Sequence, residues 1–174
     1  MYLGENFLLC TVFRYVGFFM VFAYLNAAPA YSDPDRIALT VDIVGAEGQP
    51  VDAIALSLAD LQALPTAQFE TETIWTTGTQ VFTGVLLATL LNILDVDRGH
   101  LKLQALNDYH ITMPVSEAVR DNALLAYWRN DDIMSPRENG PLWLVYDYES
   151  DPKYRSERYY ARSIWQLNHI TVFR

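Results

Sequence analysis

The chain has 174 residues, with 21 acidic against 12 basic side chains and a net charge of −9. A chain this acidic lacks the basic surface that nucleic acid demands, and an anionic membrane surface would repel it. Its one cysteine is Cys10, so from Tyr31 onward there is no disulfide, no thiolate nucleophile and no thiolate metal ligand.

The stretch from Phe7 to Leu25 is apolar apart from Arg14. After Arg14, the uncharged run Tyr15 to Leu25 has the length of a signal-peptide core and is short for a membrane span. Ala28-Pro29-Ala30 then offers the small-x-small pattern that signal cleavage needs. We read residues 1–30 as a cleavable signal peptide and 31–174 as one domain, periplasmic or secreted. The alternative is an uncleaved anchor with Arg14 snorkelling, which also puts the domain outside the cytoplasm. No Arg-Arg pair precedes the apolar core, so the signal is of the general export type and not the twin-arginine type. Glu5 and Arg14 leave together, and the charge stays at −9.

Downstream, Arg36 to Val44 alternates and is rich in β-branched residues, which predicts a strand. Gly45 to Pro50 reads as a turn. Ser57 with Asp60 forms a capping-box pattern, so a short helix starts there and ends before Pro65. Phe69 to Trp75 alternates as a second strand. Val81-Phe82 is extended, and Gly84 opens a helix on which Val85, Leu86, Leu90, Ile93 and Leu94 share a face. Leu101 to Leu106 and Tyr109 to Met113 form a hairpin about Asn107-Asp108. Val115 to Asp121 is a polar turn or short helix. Ala123 to Arg129 is a buried strand and Leu142 to Tyr146 another. Glu149 to Tyr160 reads as a long loop, and Ile164 to Phe173 closes as a strand. The class is α+β, mostly β, with many short strands and two or three short helices in one compact domain.

Four segments in order carry a resemblance: Phe82-Thr83-Gly84-Val85-Leu86 into Leu90-Leu91; Asn107-Asp108-Tyr109 with Met113-Pro114; Leu124-Leu125-Ala126-Tyr127 with Asn130-Asp131; and Gly140-Pro141-Leu142-Trp143-Leu144-Val145. The closing Ser163-Ile164-Trp165-Gln166-Leu167 extends it. Together they resemble the oxidoreductase molybdopterin-binding domain, the fold of the sulfite oxidase family. The resemblance implies two-electron chemistry at molybdenum on a pterin dithiolene, with one protein cysteine on the metal. Here the corresponding position falls on or beside Thr71. A hydroxyl is harder and far less acidic than a thiol, and does not replace a soft thiolate on equal terms. Members of the family that are exported with cofactor generally travel folded by the twin-arginine route, which this signal does not match.

Among other groups, His100, His110 and His169 lack metal-ligand spacing, and no metal site is expected. Asp131-Asp132 and Glu149 to Asp151 fall in turn contexts, where capping is commoner than acid–base work. Ser116 and Ser163 carry no signature of a hydrolase. The tail stands out: Tyr146, Tyr148, Tyr154, Arg155, Arg158, Tyr159, Tyr160, Arg162 and Trp165, with Arg137 just before. Arg forks bind oxyanions and aromatic rings stack, so Arg137, Arg155, Arg158, Tyr159, Arg162 and Trp165, with Trp75, are candidates for an anionic or planar small ligand. The plainer reading is a structural segment whose arginines pair with the interleaved Asp147, Glu149, Asp151 and Glu157.

Three functions stay open. The first is a non-catalytic ligand-binding, accessory or sensory domain, with no catalytic residue, no cofactor, and a membrane sensor or redox protein as partner. The second is an oxidoreductase that retains molybdopterin with oxygen ligation through Thr71 or water. The third is a structural interaction module.

Overall fold

The computed structural model describes residues 33–174, and the expected signal peptide with Cys10 lies outside the described residues. Among the described residues no helix is long and apolar enough to cross a membrane. In chain order the elements are β1 (Ile37–Val44), β2 (Pro50–Ser57), α1 (Leu58–Gln62), β3 (Thr66–Glu72), β4 (Thr79–Leu86) and α2 (Leu87–Ile93). There follow β5 (His100–Ala105), β6 (His110–Pro114), α3 (Val115–Arg120), β7 (Leu124–Arg129) and β8 (Asp132–Ile133). The chain closes with β9 (Trp143–Val145), α4 (Glu157–Arg162) and β10 (Leu167–Phe173).

The strands form two five-stranded sheets. One has the order β2-β1-β10-β5-β6; the other runs β3-β4-β7-β8, with β9 also on β7. Every pairing is antiparallel except β1 with β10, which is parallel. The inward rows explain the strands. Leu39, Val41 and Ile43 of β1 are buried with Ile170 and Val172 of β10 and Leu101 and Leu103 of β5. They pack with Val85, Leu90, Leu91 and Leu125 in the main core. This is the mostly-β, α+β architecture the patterning predicts.

Several expectations need correction. β2 was not anticipated; it is an edge strand, mostly exposed, so its period-2 signal is weak. β3 starts at Thr66 and ends at Glu72, not at Trp75. There Thr73 Oγ1 turns the chain by accepting from the Trp75 amide at 3.1 Å. The α2 helix begins at Leu87, not Gly84. Gly84 remains in β4, pressed against β7, where a Cβ would stand 2.0 Å from the Leu125 carbonyl oxygen. The expected loop at Glu149 to Tyr160 holds a 3-10 turn at Pro152–Tyr154 and the start of α4. The final strand begins at Leu167, and Ile164 is buried ahead of it. The capping box is as read: Ser57 Oγ accepts from the Asp60 amide at 3.1 Å, and Asp60 accepts from the Ser57 amide at 2.8 Å. Val115 to Arg120 is the helical one of its two readings.

Candidate functional site

The turn after β3 lifts Trp75 off the second sheet, and the bond between Thr73 Oγ1 and Thr76 Oγ1 at 2.8 Å braces it. From the tail, Tyr160 on α4 and Trp165 before β10 come up beside it. Trp75 meets Tyr160 at 5.8 Å and 88°, and Trp165 at 5.6 Å and 76°. Beneath them the buried Trp143 contacts both indoles, at 5.9 Å and 6.1 Å. The β5–β6 turn supplies Asn107 and Tyr109. The Tyr109 hydroxyl donates to the Ala161 carbonyl at 3.1 Å, tying hairpin to tail. These residues, with Ser163 and Ile164, line a cleft of about 250 Å³. Its lining holds no charged side chain.

Tyr160 also borders a second depression of about 200 Å³, lined by Glu72, Thr73, Ile74, Tyr148, Glu149 and Arg155. Arg155 is exposed there and makes no ion pair among the described residues.

Thr71 lies just behind this surface and is 0% exposed. Its hydroxyl accepts from the Tyr148 amide at 3.0 Å and donates to the Glu72 carbonyl at 3.4 Å. Tyr148 in turn bonds through its hydroxyl to Ser163 Oγ, and Ser163 Oγ donates to the Tyr159 carbonyl at 2.8 Å. Burial pushes the phenols of Tyr146 and Tyr148 well above their ordinary range.

The remaining tail candidates do not converge on the cleft. Arg158 and Arg162 both pair with Glu117 of α3. The Arg158 hydrogen bond holds the Glu117 carboxyl below its ordinary range, against the burial that would raise it, and Arg162 adds to the lowering. Asp121, at 1% exposure, is held by Arg120 at 3.2 Å, by Lys153 at 3.7 Å and by the Tyr159 hydroxyl at 3.0 Å. Burial, then Asp121, raises the Tyr159 phenol. Thus Tyr159, Arg158 and Arg162 pin α4 to α3. Their partners are Glu117 and Asp121, not the interleaved acids expected from the sequence; among the described residues only Lys153 with Asp151, at 3.7 Å, is a local pair of that kind. Arg137 is exposed in a 3-10 turn and lines neither depression.

Of the expected ligand residues, then, Trp75 and Trp165 share the cleft and Arg155 borders the neighbouring depression. Tyr109 and Asn107 were missed as site residues; a hairpin turn gives no hint of what it packs against. His169 Nε2 lies 3.0 Å from Asp42 Oδ2 on the outer face of the first sheet. Among the described residues no three His, Cys, Asp or Glu side chains gather as a metal site would require.

A family model described as the oxidoreductase molybdopterin binding domain matches residues 27–148. The chain belongs to that family. Among solved structures, this molybdopterin-binding-family domain is similar to the sulfane dehydrogenase SoxCD from Paracoccus pantotrophus. The TM-score is 0.52 and the identity 15%, over 78% of this chain and 38% of that one. The likeness shows a shared sulfite-oxidase-type fold, and the chain spans well under half of the longer protein. No curated protein matches the sequence. The family match ends at residue 148, so Tyr160 and Trp165 of the cleft lie beyond it.

Proposed function

We propose that this domain acts outside the cytoplasm as a non-catalytic ligand-binding or accessory protein, one that keeps the molybdopterin-binding fold without its metal chemistry. The observation that carries this is Thr71. It stands on or beside the position where the family resemblance expects the metal-binding thiolate. Its hydroxyl is fully buried and already bonded to the backbone at Tyr148 and Glu72. A hard, neutral, committed oxygen is a poor ligand for a metal that prefers soft thiolate.

Among the tail arginines, Arg158 and Arg162 pair with Glu117, and Arg155 shares its depression with Glu72 and Glu149. The residues present at Thr71 do not fit a thiolate-held molybdenum centre. What the surface does offer is a largely apolar aromatic cleft, which suits a small planar or apolar ligand. A signal of the general export type fits a domain that needs no cytoplasmic cofactor loading. A membrane sensor or redox protein would be its downstream partner.

The test is export from a bacterial host that makes molybdenum cofactor, followed by purification. The expected product has an intact mass starting at Tyr31, molybdenum far below stoichiometric and no fluorescent pterin oxidation product. Stoichiometric molybdenum with pterin would overturn the proposal.

A further inference from the structure

Trp75 stands nearly at right angles to both of its neighbours in the cleft, to Tyr160 at 88° and to Trp165 at 76°. Tyr109 adds a fourth ring at the rim, fixed by its bond to the Ala161 carbonyl. The four side chains border one space, an aromatic box. The faces of indole and phenol carry negative charge density, and a cation among them is attracted by several at once.

The charge around the box sharpens the choice of ligand. An anion would meet these faces with no Lys or Arg in the lining to receive it. The nearby Arg158 and Arg162 are paired with Glu117. The chain as a whole carries −9, which draws cations toward it. The second depression beyond Tyr160 adds Glu72 and Glu149 against the single Arg155.

Hydrogen bonding narrows the class further. A primary ammonium has three donors to satisfy and holds its water strongly. The Ala161 carbonyl already accepts from Tyr109 and Ser163 Oγ is bonded to Tyr148 and Tyr159, which leaves the Asn107 amide oxygen and the Tyr160 hydroxyl as the side-chain acceptors of a lining that is mostly apolar. A methylated ammonium needs no acceptor. The volume of about 250 Å³ is below the roughly 300–1,000 Å³ of sites for drug-sized ligands. We propose that the cleft between Trp75, Tyr109, Tyr160 and Trp165 binds a small quaternary ammonium cation. This deepens the ligand-binding reading above and rests on it.

The probe is choline chloride, titrated into the purified mature protein at constant ionic strength and followed by tryptophan fluorescence. Two comparison ligands are the neutral carbon isostere, with tert-butyl in place of trimethylammonium, and benzoate. Choline is expected to give a saturable change, with the isostere binding about tenfold or more weaker. Tyr109→Leu, at a half-exposed rim position, is expected to weaken choline about tenfold while near-ultraviolet circular dichroism shows the fold kept. Trp165→Leu is the second variant, read the same way. Equal binding of choline and isostere, or tighter binding of benzoate, overturns the cation assignment and leaves the ligand-binding reading standing. No saturable response to any of the three also overturns the cation assignment. The molybdenum measurement is independent of all these outcomes.

Discussion

Replacing Thr71 by Val tests what this residue is for. Valine has the same shape as threonine, so packing at this fully buried position is conserved and only the hydroxyl is lost. The Tyr148 amide, which donates to that hydroxyl at 3.0 Å, is then left without its partner in the interior. An orphaned buried donor costs about 1–3 kcal/mol. At about 4 °C per kcal/mol for a domain of this size, the melting temperature falls by about 4–12 °C. Thr71→Ser keeps the hydroxyl and removes one methyl, so it should cost about 1 kcal/mol, near the low end of that range. Thermal unfolding followed by circular dichroism reads both variants. A Val variant as stable as the parent would refute the structural role. So would parent protein that carries bound metal which the Val variant loses.

Three further outcomes follow from the same geometry. Gly84→Ala brings a Cβ to 2.0 Å from Leu125 O and 2.7 Å from Ala126 Cα, both backbone, so thermal melts should show a loss of about 1–3 kcal/mol. Glu117→Gln removes the negative charge shared by Arg158 and the largely buried Arg162 and turns one acceptor oxygen into a donor, and chemical denaturation should register about 2 kcal/mol. Because the folded-state pKa of Glu117 is depressed, its contribution is present above the unfolded carboxyl value of about 4.3 and fades as pH falls through the folded value. The parent should therefore lose stability on acidification more steeply than Glu117→Gln. At the alkaline end the sign reverses. The raised phenols of Tyr146 and Tyr148 keep their full contribution below the unfolded value of about 10. Stability then falls as pH climbs above it, with phenolate absorbance rising alongside unfolding.

Local chemistry was legible where the partners are neighbours in the chain. Ser57 and Asp60 cap each other three residues apart, and the Asn107-Asp108 hairpin closes on itself. The family segments, each short, were legible through their order. Gly84 was misread because Val85 to Leu94 is apolar at helical spacing whether its first turn is helix or sheet; what decides it is the approach of β7, far along the chain. α4 was read as loop because its capping residue Ser156 makes no side-chain cap bond and its stability comes from tertiary packing of Tyr159. The arginine-rich tail announced a cluster but not its partners. Glu117 sits on a different helix and Asp121 just past its end, and no spacing within the tail points to them. The aromatic cleft was half legible for the same reason: Trp75 and Trp165 are conspicuous, while Tyr109 arrives from a separate hairpin.

The parallel pairing of β1 with β10 has a consequence for how the chain acquires its fold. These strands lie at opposite ends of the described sequence, yet each is the other's neighbour inside one sheet. A chain emerging amino-terminus first holds β1 and β2 as a hairpin, with the inner edge of β1 unpaired until β10 is released. Long-range pairing of this kind forms slowly, because loop closure is opposed by chain entropy before any contact offsets it. The last seven-residue strand therefore acts as a latch. Until it closes, β5 and β6 have no strand to join them to β1 and β2, and the first sheet is two separate hairpins.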